Sequence, residues 1–185
     1  MTDSKPSRPL TSEHIVSGAA IFVSLCTLIV LLYEARIMRE QQRAAVWPYV
    51  EIGMGFSDDG FAVRTYNQGV GPARIQSMQI HVDGEPVPTW KAMFQALGVA
   101  DSTWSHDKTN GRVLPGQSTL TSLLAPGDAR ASEVYAAYLE AERLTLALCY
   151  CSVYDDCWRV EVRGLDEKRG RVDTCESGPS AEFDL

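Results

Sequence analysis

Cys149, Cys151, Cys157 and Cys175 are the residues whose chemistry would matter most in this chain. Cysteines spaced C-x-C with a third close behind suit a thiolate metal site, provided the sulfurs converge on one point. The hairpin register decides whether they do. With Asp155-Asp156 as a two-residue turn, Tyr154 faces Cys157 and Val153 faces Trp158. Cys151 then faces Val160, and Cys149 faces Val162. One sheet face would read Cys149, Cys151, Val153, Trp158, Val160, Val162, a core pattern, with Cys157 on the opposite face. In that register the sulfurs diverge and no metal is expected; a bulged turn would bring them back together. Cys149 and Cys151 read as buried free thiols. Cys157 and Cys175 read as a candidate disulfide if the domain is exported.

Other reactive-looking patterns carry less. Gly69-Val70-Gly71 resembles the start of a phosphate-cradling loop, but a dinucleotide fingerprint needs a third glycine, which would fall at Arg74. Pro72 occupies the turn instead, and RIQSMQIHV after it alternates like a strand. The two glycines are therefore expected to give a turn its backbone freedom. Ser105-His106-Asp107 holds three triad residue types, yet adjacent positions cannot form a nucleophile–base–orienter line. That loop reads as a solvated tip. His14 borders an apolar run and His81 sits in a strand pattern. The paired acids Asp58-Asp59, Asp155-Asp156 and Asp166-Glu167 fall in turns. No catalytic constellation emerges, so the chain is expected not to be an enzyme and to need no cofactor or metal.

The elements that position these residues begin with a lipid-soluble segment. Ile15 to Tyr33 is 19 residues without a charge. As a helix it spans about 28 Å, close to the roughly 30 Å hydrocarbon core. Ile15, Phe22, Leu25, Leu28, Leu32 and Tyr33 are taken as anchor residues. A cleaved signal peptide would have a shorter apolar region ending at a small-x-small site, and this run ends without one. Cys26 suggests a lipoprotein, but Leu25 precedes it and the apolar run continues beyond it. Residues 34–46, EARIMREQQRAAV, are good helix formers without Gly or Pro and should extend the helix as a stalk. Trp47-Pro48 ends it, because proline disfavours helix in its predecessor. Arg36, Arg39 and Arg43 on the stalk are candidate interaction residues, as are Trp47 and Tyr49, which the stalk of about 20 Å carries clear of the bilayer to start the folded domain.

Charge is unevenly divided. Residues 1–46 hold five basic and four acidic residues; the remainder holds twelve and twenty, a net of −8. A body that acidic is repelled by a polyphosphate backbone, which argues against nucleic-acid binding. Two Lys/Arg precede the apolar span and three come after it, nearly a tie under the positive-inside rule. An uncleaved N-terminal anchor behind a short tail generally exports the chain beyond it, so export of the globular part is expected.

From Tyr49 the periodicity becomes alternating. YVEIG, FAVRTYN, RIQSMQIHV, RVLPG, STLTSLL, LTLALCYCSVY and CWRVEV read as about seven strands, which argues for an antiparallel sandwich. Two segments break the pattern as short helices: TWKAMFQALG, with Thr89 as N-cap, and ARASEVYAAYLEAE, with Asp128 as candidate cap. Val134, Tyr135, Tyr138 and Leu139 lie on one face of the second. The expected organisation is a polar tail over 1–14, a membrane helix over 15–33, a stalk over 34–46, a β-sandwich over 47–165 and a polar tail over 166–185.

Asn67-Gln68-Gly69-Val70-Gly71-Pro72-Ala73 resembles the N-x-G-x-G-P-A turn of bacterial immunoglobulin-like domains of the cell-surface type. Trp47-Pro48-Tyr49 and the run from Tyr150 to Trp158 are similar to features of membrane-anchored bacterial proteins of unknown function. The resemblance implies an immunoglobulin-like sandwich and a cell-surface habit, which with export implies the periplasmic side of a bacterial inner membrane, and it carries over no catalytic residue. The expected function is a membrane-tethered protein-interaction module: an accessory or stabilising subunit of a larger integral membrane complex, for example respiratory, photosynthetic or transport. Its partners would be the lipid bilayer and other integral membrane subunits. The alternative is a membrane-tethered ligand sensor, defence effector or immunity-type protein.

Overall fold

The computed structural model describes residues 12–99, 103–127, 129–139 and 143–175. Its first unit is a single helix, α1 (Ser12–Ala45), running without a break through both the expected span and the stalk. None of its residues is buried, and Ile15, Phe22, Leu25, Leu28, Leu32 and Tyr33 are each more than half exposed. Two hydroxyls near the middle of the apolar run, Ser24 and Thr27, turn inward to the helix itself. Ser24 Oγ donates to the Ala20 carbonyl at 2.8 Å and Thr27 Oγ1 to that of Val23 at 2.9 Å, which removes their need for water. The helix is long and apolar enough to cross a membrane, consistent with a single-pass anchor. So much exposed apolar surface is unfavourable in water and at home in lipid.

The second unit is a mainly β body. In chain order its first elements are β1 (Val50–Ser57), β2 (Gly60–Asn67), β3 (Ala73–Val82), β4 (Glu85–Val87) and α2 (Trp90–Ala96). Next come β5 (Ser105–His106), β6 (Val113–Leu114), β7 (Ser118–Ala125) and α3 (Ala129–Leu139). The last are β8 (Leu144–Cys151), β9 (Cys157–Arg163) and β10 (Asp166–Val172). Two antiparallel sheets result, ordered β1-β2-β7-β5 and β10-β9-β8-β3-β4, with β6 also paired to β3. The chain first changes sheet between β2 and β3, through the Asn67–Ala73 turn, crosses at each step from β4 through β7, and makes its last change between β7 and β8, by way of α3.

Alternation decides which side chains fill the space between the sheets. Phe61 and Val63 of the first sheet and Ile75, Leu146, Leu148 and Val160 of the second are fully buried in one hydrophobic cluster. Strand β8 is buried at all eight positions, since β3 and β9 flank it and both its faces are covered. Helix α2 closes against β3 and β4, burying Trp90, Met93 and Phe94. Thr89 caps it as expected, Oγ1 accepting from Ala92 N at 3.1 Å. Gly98, at φ +81°, ends it, with Gly98 N–H donating to Gln95 O and Val99 N–H to Phe94 O. This is the left-handed stop that only glycine makes cheaply. In α3, Val134 and Tyr138 are buried, while Leu139 is half exposed. The expected cap at Asp128 lies outside the described residues, as do most of the 1–14 tail and residues 176–185.

Three differences from the sequence reading have plain causes. The sandwich does not end at 165: Asp166–Val172 forms β10, paired to β9 along its length. Its residues, DEKRGRV, are almost all exposed, so an edge strand with no core face had the look of a polar tail. Ser105-His106 is not a free tip but a short edge strand on β7, with the His106 ring 5.1 Å from that of Trp104. The β8–β9 connection is five residues rather than two, so Cys151 pairs with Cys157 and Leu148 with Val160. That register moves Cys149 and Cys151 off the core face and onto the outer face of the second sheet, the side already expected for Cys157.

Candidate interaction site at the leading end of the sandwich

The chain reaches the sheets at Val46, and the Asn67–Ala73 turn is built against that arriving segment. Asn67 is buried and uses its whole side-chain amide. Nδ2 donates to the carbonyls of Gly71 (2.8 Å), Leu114 (3.1 Å) and Pro115 (3.0 Å). Oδ1 accepts from Tyr49 N (3.2 Å) and Gly69 N (3.1 Å). The glycines answer to space rather than to backbone freedom, which corrects the expectation. Neither Gly69 nor Gly71 has a positive φ. A Cβ on Gly71 would lie 1.8 Å from the Val46 carbonyl oxygen, and one on Gly69 2.4 Å from that of Trp47. Gly116 is pressed likewise, its Cβ position 2.3 Å from the Val70 carbonyl oxygen. The motif lets three backbone segments meet where one asparagine can staple them.

Trp47 and Tyr49, two of the candidate interaction residues, sit on this end with rings edge to face at 5.5 Å. Tyr49 is covered by the Arg169 guanidinium, 3.6 Å from its ring centre. Arg169 Nη2 also donates to the Val50 carbonyl and to Glu167, each at 2.7 Å, which ties β10 to β1 across the two sheets. Burial raises the Glu167 carboxyl above the ordinary carboxylate value; Arg169 works against the rise and Glu51 adds to it. Tyr150, fully buried, accepts from Val50 N–H at 3.3 Å, and burial pushes its phenol up so that it stays protonated. Trp47 itself is 47% exposed. Arg36, Arg39 and Arg43 lie in the charged last part of α1, in the other unit.

The β8–β9 loop belongs to the same end. Ser152 Oγ accepts from Tyr154 N at 3.1 Å and Asp156 N at 3.3 Å, and Asp155 takes a positive φ. Arg74 pairs with Asp155 and Arg171 with Asp156, so the loop is fastened from both sides. Val153 and Tyr154 are left half exposed at its tip. With Trp47, Val70 at 63% and Val113 at 55%, they ring the leading end with apolar side chains facing outward.

Beneath that loop lie the cysteines, and the expected Cys157–Cys175 bond is not the one formed. Cys149 is bonded to Cys175 and Cys151 to Cys157. Cys151 and Cys157 are register partners in adjacent strands, which brings their sulfurs together; Cys175, three residues past β10, folds back over Cys149. The two bonds touch, with Cys151 Sγ 3.7 Å from Cys175 Sγ. Cys26 is a free thiol on α1. Farther along the same sheet face, His81, Thr145, Arg159, Glu161 and Arg163 line a shallow depression of about 220 Å³.

The sequence reading named Trp47, Tyr49 and the turn at Gly69-Gly71 but missed Asn67 as the staple, Arg169 as the clasp and the apolar ring. The N-x-G-x-G-P run was the available signal for Asn67; a charge in a supposed tail hid Arg169. Comparison with known proteins finds no match to this chain among family models, curated proteins or solved structures. What stands is the architecture: an apolar N-terminal helix and then an antiparallel, sandwich-like pair of sheets.

Proposed function

We propose that the chain is a membrane-tethered protein-interaction module, an accessory subunit that docks on a larger integral membrane complex through the leading end of its sandwich. The observation that carries this reading is the outward-facing ring of Trp47, Val70, Val113, Val153 and Tyr154 at the end where the chain enters the sheets. Apolar side chains grouped on a loop end held rigid by Asn67 and by paired arginines suit a partner surface. The partner is another integral membrane subunit, since the tether joins the domain at this end and limits how far it can stray from the bilayer. The sensor alternative has less support from the described residues: the depression on the outer face of the second sheet falls below the roughly 300 Å³ of small-molecule sites.

Solubilised in mild detergent, the native chain is expected to migrate in native gels with a larger assembly. The double substitution Val70→Asp and Val153→Asp should release it as a free species, while Asp58→Ala, on the exposed far turn, should leave it bound. Migration of the unaltered chain as a monomer under conditions that keep other membrane complexes whole would refute the reading.

The two disulfides support the oxidising side of a bacterial inner membrane for the sheet domain. With Cys26→Ser removing the free thiol, Asp58→Cys is expected to react with an impermeant maleimide on intact spheroplasts. Labelling that appears only after lysis would place the domain on the other side.

A further inference from the structure

The geometry points to a second chemistry for the four sulfurs: in the reduced chain, Cys149, Cys151, Cys157 and Cys175 form one tetrathiolate site for a single zinc ion. A tetrahedral zinc site with Zn–S bonds of about 2.3 Å has sulfurs about 3.8 Å apart. Cys151 and Cys175, which are not bonded to each other, already stand at 3.7 Å. The sulfurs of Cys151, Cys157 and Cys175 all lie within 4.8 Å of one another, and Cys149 joins them through its bond to Cys175. Three of the four project from β8 and β9, paired strands in the best-packed part of the fold, so the ligands are held by scaffold rather than by loop.

Charge favours the ion as well. Four thiolates around Zn²⁺ leave a net charge of about −2, which nearby cations stabilise. Arg74 is the register partner of Cys151 and Arg159 that of Cys149.

The balance is simple. A thiol or phosphine reductant gives two electrons to each disulfide, and two protons join each pair of sulfurs. Zn²⁺ then replaces up to four thiol protons as the Zn–S bonds form. Reoxidation by two equivalents of a small-molecule disulfide, each reduced to two thiols, withdraws four electrons, restores both S–S bonds and expels the ion. Disulfides and zinc are thus mutually exclusive occupants of one place. The inference does not depend on the docking role, since it concerns the outer face of the second sheet and not the apolar ring.

The test uses the full chain with Cys26→Ser in detergent micelles, reduced without oxygen by a phosphine and titrated with Co²⁺ as a zinc stand-in. One equivalent is expected to develop thiolate-to-cobalt charge-transfer absorption with the strong visible bands of tetrahedral Co²⁺, and Zn²⁺ should displace them. Cys175→Ser should weaken binding more than about 100-fold, beyond the loss typical of an outer-shell change. The oxidised chain should show no band. A reduced chain that keeps its strand signal by circular dichroism yet gives no band overturns the inference, as does a band unchanged in Cys175→Ser. Should the reduced chain lose its strand signal, one equivalent of Zn²⁺ is expected to restore it, and failure to do so is equally decisive against the site.

Discussion

Gly71→Ala is expected to destabilise the sheet domain by about 3 kcal/mol or more, because no side chain lies in the way that could yield. The new methyl would sit 1.8 Å from the Val46 carbonyl oxygen and 2.2 Å from its carbon, so the arriving backbone itself has to move. Moving it strains the Gly71 N–H to Trp47 carbonyl bond (3.3 Å) and the five hydrogen bonds of Asn67. Asn67→Ala attacks the same junction from the other side. It strands two N–H groups and three carbonyls, each costing about 1–3 kcal/mol if water does not reach it, and a total loss of about 3–5 kcal/mol is expected. Asn67→Asp should be no milder: it keeps the shape but aims a carboxylate at three carbonyl oxygens. Gly55→Ala is the control, with nothing within 4 Å of its Cβ position. Urea unfolding tracked by tryptophan fluorescence reads the series. Equal midpoints for Gly71→Ala and Gly55→Ala would refute the account of this turn.

The second large effect belongs to the helix. Leu25 and Leu28 are near the middle of the apolar run and both are more than half exposed. Exchanging each for arginine shifts membrane insertion by about 3–4 kcal/mol, so the pair should cost about 6–8 kcal/mol. That is enough to move most of the chain out of the membrane fraction. Leu25→Ala with Leu28→Ala keeps the run uncharged and should leave the chain resistant to alkaline carbonate. A double-arginine variant that still resists carbonate would mean that something other than the apolar helix holds the chain to the bilayer.

What could be read in the sequence divides along physical lines. Ile15 to Tyr33 declared a lipid-soluble helix because composition alone decides that property. FAVRTYN and RIQSMQIHV declared strands because one face of each is buried, and Thr89 declared a helix start because its hydroxyl has a local partner. Strand β10 was illegible for the converse reason: an edge strand held by backbone pairing and by Arg169 needs no apolar pattern. The cysteine pairing was lost to a single assumption, that Asp155-Asp156 closes a two-residue turn. In the structure Ser152 organises a longer loop, and shifting the register turned Cys149 and Cys151 to the outer face, where Cys157 was already expected. The close approach of Gly71 to Val46 joins segments 25 residues apart, and no local pattern carries that contact.

The covalent bonds at the end of β8 also govern how two copies of the chain could entangle. Strand β10, on the sheet's rim and held there by few buried side chains, is the segment that would most easily be traded between neighbours. Cys175 lies three residues beyond it and is locked to Cys149, while Cys151 locks the strand in between. The three terminal strands are therefore sewn into one sheet of one molecule. Reciprocal exchange of the β10 arm, a common route to unwanted dimers, is closed off while those links persist, which matters for a domain concentrated on a two-dimensional surface.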